Sequence, residues 1–311
     1  MREAAPRRTR SRVLSRVLLA VGAVLLALLL CEGFLQGFDP GRFALLEARE
    51  RLSEEILVRH QDGTLRLRPG ARATYLGKDI EVGAHGLRNG EVVMPKPADV
   101  FRILVIGDSV PFGWGVAEDE AFPRLVERAL AGAMPAGKRC EVVNCGVPGF
   151  GLPEAYVQLR DQGLAWDPDL VLHCVIANDV DPLPAMPPLV LPGALRKVRT
   201  LRLLERLIDR VWGGGTEPDT GWKPEQVNQA LDMLVALCAT KGARYVLMDT
   251  VALPEVVEHC TARSIPRVHC PVDVAWIDEH RLNLHDFHPG PSGHRWLADH
   301  VVTQLPAFLP R

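Results

Sequence analysis

Four short apolar runs, separated by stretches of helical character, most constrain what this chain can fold into. Phe101-Arg102-Ile103-Leu104-Val105-Ile106, 141–144 (Glu-Val-Val-Asn), 169–175 (Asp-Leu-Val-Leu-His-Cys-Val) and 244–248 (Arg-Tyr-Val-Leu-Met) each have strand length. Between the first two lies Phe122 to Leu130, inside a helix-compatible stretch near 118–132, and Pro153 to Leu164 precedes the third. Pro224 to Thr240 precedes the fourth, with Val227, Leu231, Leu234, Val235 and Cys238 at helical spacing. Strands alternating with helices predict an α/β domain whose mainly parallel sheet is covered on both faces.

The 311 residues suffice for one substantial core, with at most a small accessory piece. With 47% hydrophobic and 24% charged residues, the composition is that of a folded globular protein. A formal net charge of -2 gives no steering toward nucleic acid, and the aromatic-and-basic interleaving of single-strand binders is missing, so no nucleic-acid partner is expected. The Gly213-Gly214-Gly215 run is no phosphate loop, because no Gly-Lys-Ser/Thr follows it. The seven cysteines include no C-x-x-C pair and no local Cys/His cluster, so neither a metal nor a cofactor is expected. In an exported body, Cys260 with Cys270 and Cys140 with Cys145 are candidate disulfide pairs. Cys174, in a strand-like run, reads as a small buried hydrophobe.

The N-terminus has its own character. Arg2, Arg7, Arg8, Arg10, Arg12 and Arg16 face the single acid Glu3, and the uncharged run Val17 to Cys31 follows. A membrane span needs about 20 apolar residues. This run of 15 reaches that depth with help from Val13, Leu14, Gly33 to Leu35 and a snorkelling Arg16. A cleaved signal peptide and a short signal anchor both fit; the anchor is favoured, because no small-x-small cleavage site follows. Leu30, bulky before Cys31, argues against a lipoprotein, and a buried N-terminal helix of a cytosolic protein is the third reading. The expected location is the cell membrane, single-pass, with arginines inside and the body outside the cytoplasm, or secreted if the segment is cleaved.

The division expected is 1–35 for the basic flank and membrane segment, 36–96 for a lead-in, and 97–311 for the main domain. The lead-in contains a helix from Gly41 to Leu57 and a small hairpin about Asp62-Gly63, whereas 69–96 lacks strong periodicity. An insertion at about 181–222 opens rich in Pro and Leu and continues as a basic amphipathic helix over 199–212. It covers the core, caps the site or faces the membrane.

Three features carry chemistry. Gly107-Asp108-Ser109 ends the first strand run, where glycine permits a sharp turn and Ser109 stands where backbone N–H groups point at a developing oxyanion. The plain alternative is a turn with an N-cap, and Pro111 rules out the G-x-S-x-G elbow. Near the C-terminus, Asp286-Phe287-His288-Pro289 offers the base and orienting acid that a serine hydroxyl needs, with both side chains on one side of an extended segment. His285 and His294 compete for the base, their plain reading being a loop or helix-capping histidine. Asn144-Cys145-Gly146 and Asn178-Asp179 follow strand runs, so a parallel sheet brings them to the edge carrying Ser109. A glycine N–H and an asparagine amide are suitable oxyanion donors, though each alone is an ordinary loop residue.

These four blocks, taken in chain order from Gly107-Asp108-Ser109 through Gly146 and Asn178-Asp179 to the segment ending in His288, resemble the SGNH/GDSL hydrolases over about 97–305. The resemblance implies a three-layer α/β/α flavodoxin-like fold and carboxylic ester hydrolysis, with Ser109 as nucleophile and His288 as base. It also implies an oxyanion hole from the Ser109 N–H, the Gly146 N–H and the Asn178 side chain. The run from His85-Gly86-Leu87-Arg88 through Lys96-Pro97 into Phe112-Gly113-Trp114-Gly115-Val116 is similar to an exported bacterial subgroup with an N-terminal membrane segment. Two positions depart from the pattern. Ile176 stands where the third block has glycine, and His285 stands where the acid is usual, three residues before the base. Asp286 is the nearest acid. The substrate implied is an acyl ester or an O-acylated glycan. An O-acyltransferase with the same groups and a non-catalytic envelope glycan-binding protein are the competing readings.

Overall fold

The computed structural model describes residues 7–38, 40–60, 63–176, 179, 200 and 223–309. Two compact units divide the chain: Met1–Glu47 with Ala185–Asp219, and Ala48–Pro184 with Thr220–Arg311. The described strands are β1 (Leu57–Arg59), β2 (Leu65–Leu67), β3 (Arg72–Tyr75), β4 (Lys78–Glu81), β5 (Val100–Ile106), β6 (Arg139–Asn144), β7 (Leu170–Val175), β8 (Arg244–Asp249), β9 (Arg267–His269), β10 (Arg281–Asn283) and β11 (Asp286–Pro289). Strands β5 to β9 form a parallel sheet in the order β6-β5-β7-β8-β9. The order reverses between β5 and β7, and in open parallel sheets such a reversal leaves a crevice at the carboxyl ends of the two strands.

Alternation along each strand feeds two cores. From β5, Leu104 and Ile106 join Val143, Val171 and Leu247 against helices Leu152–Asp161, Pro224–Ala239 and Pro254–Ala262. Ile103 and Val105 join Val142, Leu172 and Met248 on the other face, against helices Phe122–Leu130 and Pro291–Gln304. This three-layer α/β/α arrangement is the fold class read from the sequence. Each large apolar side chain fully buried this way contributes about 1.5–3 kcal/mol. All five covering helices start with proline in their first two positions, where its missing N–H has no intrahelical acceptor to lose.

The four strand runs correspond to β5 to β8, whereas β9, three residues long, gave no periodic signal. The lead-in helix runs Pro40–Ile56, so the first hairpin begins at Leu57 and pairs Leu57 with Leu67. Asp62 lies outside the described residues. The segment read as lacking periodicity holds a second hairpin, β3 with β4, turning on Leu76 (φ 50) and Gly77 (φ 75). Two successive positive φ values fit a tight hairpin turn, but leucine is an unusual first residue for one, which hid the signal.

The candidate disulfides are not formed: all seven cysteines are free. Cys260 packs in one core and Cys270 in the other, so the sheet lies between them. Cys140 lies within β6 and Cys145 just past its end, held apart by extended chain.

In the smaller unit, helix Arg7–Phe38 contains the largely apolar stretch Ser15–Phe34, of 20 residues with mean hydropathy 2.5, with Arg16 and Glu32 near its two ends and none of it buried. By length and composition it suffices to cross a membrane. Most of the 181–222 insertion lies outside the described residues. Thr200 is described, and its N–H and hydroxyl both donate to Glu32 Oε2 at 2.7 Å.

His173 and His294 are wholly buried, and burial pushes both imidazoles down to about 3. An unfolded chain takes up protons near its ordinary histidine value while the folded chain refuses them. Their stabilising contribution is therefore complete above about pH 6.5 and declines as pH falls toward about 3, by up to about 1.4 kcal/mol per pH unit for each. Urea midpoints should fall between pH 7 and 5, with a shallower slope in His294→Asn, whose amide oxygen can still accept from the backbone. An unchanged slope would show that His294 is not a buried neutral group.

Candidate active site

The site is built at the carboxyl end of β5. Gly107 has φ 139, and a Cβ there would lie 2.6 Å from the Cys174 carbonyl oxygen and 3.0 Å from Pro111, so only glycine fits the turn. Asp108 caps the one-turn helix Ser109–Phe112, its Oδ1 accepting from the Val110 N–H at 2.9 Å. Gly113 (φ 83) ends that helix, its N–H donating to the Ser109 and Val110 carbonyls. The buried Arg88 fastens the following loop, donating to the carbonyls of Phe112, Gly113 and Val116. Burial lowers the Arg88 guanidinium to about 10, against the raising influence of Glu118 and Glu120.

The second contribution comes from the hairpin β10–β11, in which Arg281 pairs with Pro289 and Asn283 with Asp286. His288 Nε2 lies 2.9 Å from Ser109 Oγ, and its Nδ1 lies 2.5 Å from Asp286 Oδ1. The His288 backbone N–H also donates to Asp286 Oδ1, at 3.2 Å. The carboxylate thus reaches the ring by folding back over its own strand, which is how a spacing of two suffices. Asp286 is 1% exposed. Burial alone would raise its carboxyl, but the hydrogen bond and charge of His288, with the Tyr75 hydroxyl, outweigh it and hold the group well below the usual carboxylate range. An ionised Asp286 accepts from Nδ1–H, which leaves Nε2 as the acceptor for the Ser109 proton. Asp108 Oδ2, 3.0 Å from Ser109 Oγ, offers that single proton an alternative acceptor.

Two aromatic residues that sequence reasoning did not single out complete the enclosure. Tyr75, on β3, donates its hydroxyl to Asp286 Oδ2 at 2.8 Å. The Trp114 ring stacks on His288 with centroids 5.6 Å apart and lies 5.3 Å from the Tyr75 ring, while the Arg49 guanidinium stands 5.9 Å from the Trp114 centroid. Trp114 lay within the run Phe112 to Val116 that carried the family resemblance. For Tyr75 the one available signal was an aromatic residue closing a strand of otherwise small or polar residues.

The other sequence candidates have different surroundings. Gly146 packs so tightly that a Cβ would meet the Phe112 nitrogen at 2.3 Å. Its N–H donates to Asn144 Oδ1 at 3.0 Å, so this donor is engaged, while Asn144 Nδ2 donates to the Pro111 carbonyl at 2.7 Å. Asn178 lies outside the described residues. Its neighbour Asp179 accepts from the Ile176 N–H at 2.8 Å. Burial, then the charge of Asp108, raises the Asp179 carboxyl well above its ordinary value. His285 is exposed, its N–H donating to Asn283 Oδ1 at 2.9 Å. His294 lies in the core, its Nδ1 accepting from the Phe122 N–H at 3.2 Å and its ring stacked on Phe122. Among the described residues, no group of three or more His, Cys, Asp or Glu side chains is arranged to hold a metal ion.

Residues 105–296 match the model of the GDSL-like Lipase/Acylhydrolase family. An arylesterase of Vibrio mimicus is 25% identical over 210 residues, covering 67% of this chain and 90% of that protein. Among solved structures, the psychrotrophic esterase EstA from Pseudoalteromonas sp. is similar at 13% identity and TM-score 0.46, over 67% of this chain and 98% of that one. The lipase/acylhydrolase from Enterococcus faecalis is similar at 16% identity and TM-score 0.45, over 67% and 97%.

The crowding at Gly146 gives a test of the site's packing. Gly146→Ala should lower stability by about 1–3 kcal/mol, because the Phe112 backbone must move to admit the methyl group. Gly149→Ala meets no neighbour within 4 Å, so it bears only the strain of its φ of 83 and should cost less. Thermal unfolding of the two variants checks the order.

Proposed function

The chain belongs to the GDSL-like lipase/acylhydrolase family and is an esterase or acylhydrolase of that type, and from this premise we propose that it cleaves its ester through Ser109, His288 and Asp286. The observation that carries the reading is the continuous chain from Ser109 Oγ to His288 Nε2 at 2.9 Å and from Nδ1 to Asp286 Oδ1 at 2.5 Å. His288 removes the proton as Ser109 Oγ attacks the ester carbonyl, and Asp286 stabilises the resulting imidazolium. The tetrahedral intermediate collapses as His288 returns the proton to the leaving alcohol. Water, activated by the same imidazole, then releases the acid and regenerates Ser109.

The oxyanion falls to the Ser109 N–H, with the Asn178 amide as the expected partner. Gly146 serves as a third donor only by exchanging Asn144 Oδ1 for the oxyanion, an exchange of one hydrogen bond for a stronger, charged one. The substrate class is an acyl ester or an O-acylated glycan, and the arylesterase relative makes aryl esters the first compounds to assay. Helix Arg7–Phe38 and the arginine-rich flank ahead of its apolar stretch support a membrane-anchored enzyme whose body faces outward.

With an aryl acetate as substrate, Ser109→Ala and His288→Ala should remove nearly all turnover. Asp286→Asn should lower kcat by about 10² to 10⁴-fold, and His285→Ala by about tenfold or less. A fluorophosphonate probe should add once, on Ser109, as read by intact mass and peptide mapping; labelling at another serine, or full activity in Ser109→Ala, would overturn the assignment. For topology, protease added to spheroplasts should digest the body while cytosolic markers survive. Complete protection of the body would reject the outward arrangement.

A further inference from the structure

We propose that Tyr75 is a positioning residue for the Asp286–His288 pair, and that hairpin β3–β4 is therefore a working part of the active site. The inference rests on the roles given above to Ser109, His288 and Asp286. Asp286 is buried, with two oxygens to satisfy. Oδ1 takes both N–H groups of His288, at 2.5 and 3.2 Å, and Oδ2 takes the Tyr75 hydroxyl at 2.8 Å. Without that hydroxyl, Oδ2 would lose this donor in a water-poor setting, where an unpaired charged oxygen is most costly.

The short spacing between acid and base makes the second contact matter. Only Phe287 separates Asp286 from His288, so both His288 contacts fall on one oxygen and the carboxylate can still pivot about it. A donor on the opposite oxygen stops that rotation. Tyr75 is well placed to do so, being 1% exposed and seated on paired strand rather than on a loose loop. Its ring lies 5.3 Å from Trp114, whose ring stacks on His288. One aromatic pair thus holds both partners, the tyrosine through the acid's oxygen and the tryptophan through the base's ring face. Burial, then the bond to Asp286, pushes the Tyr75 hydroxyl above its ordinary value, so it stays a donor throughout the working pH range. Tyr75 lies outside the segment 105–296 that matches the family model, which makes the lead-in a component of the catalytic unit.

Tyr75→Phe keeps the ring against Trp114 and removes only the hydroxyl. In the full-length enzyme, kcat should fall about 10- to 100-fold with KM changed less than about twofold. The acid limb of kcat/KM should shift from that of the parent, because the carboxylate facing His288 has lost a donor. In an Asp286→Asn background the same change should cost less than about twofold further, since Tyr75 acts through the carboxylate. The low-field proton resonance of His288 Nδ1, assigned by its loss in His288→Ala, should move upfield in Tyr75→Phe. That readout needs no turnover, so it stands even if Ser109→Ala shows the nucleophile to lie elsewhere. A Tyr75→Phe enzyme with kcat within about twofold of the parent and an unmoved acid limb would overturn the proposal. So would an undiminished effect in the Asn background, or an unshifted resonance.

Discussion

A Cβ on residue 107 would collide with the Cys174 carbonyl oxygen at 2.6 Å, and this close approach of β5 to the end of β7 governs everything built at that edge. Because glycine lets the chain leave β5 so sharply, Ser109 stands at once above the point where strand order reverses. The Gly107 carbonyl then accepts the Val147 N–H at 3.0 Å, drawing the loop after β6 to the same place. That loop is seated by the contact of Gly146 with the Phe112 backbone. Two glycines, each admitted for lack of a Cβ, set the distance between the two loops beside Ser109.

Electrostatics divides the carboxyls gathered there. Asp286 and Asp179 are both buried at 1% exposure, yet their carboxyls move in opposite directions. The first has donors on both oxygens and a basic partner, so the charged form is favoured despite burial. The second has the Ile176 N–H on Oδ2, no partner on Oδ1 among the described residues, and Asp108 nearby, so the neutral form is favoured. Burial alone decides neither case; the count and kind of donors does.

Much of this was legible in the residues, for identifiable reasons. The sheet was readable because β5, β7 and β8 are buried on both faces and so appear as near-continuous apolar runs, interrupted within β5 by Arg102 and within β7 by His173, and Gly107-Asp108-Ser109 was readable because it follows one directly. Asp286 and His288 were readable because both lie in one short segment whose pleat turns them the same way. Tyr75 was not, since its contact with Asp286 spans 211 residues and leaves no local pattern. Hairpin β3–β4 has leucine, not a usual turn residue, ahead of its turn glycine, and β9 was too short to show a period. The engagement of the Gly146 N–H depends on how the Asn144 side chain folds back, a local geometry with no spacing rule behind it. The disulfide candidates failed because sequence distance says nothing about which side of a sheet a cysteine faces.

The segregation of the thiols has a consequence for the making of the molecule. Burial pushes Cys140, Cys238 and Cys270 up to about 12 and Cys260 to about 11, so the folded body exposes little reactive thiolate to an oxidant. The unfolded chain has no such protection, and its thiols would titrate near their ordinary values. For a body assembled outside the cytoplasm, any bridge formed early would be non-native and would have to be undone before the two cores could close. Such a chain would be in a race between collapse and oxidation. In that setting core formation around β5 to β8 would act as its antioxidant, and exchange enzymes that reopen wrong bridges would set the yield without leaving a bond in the finished protein.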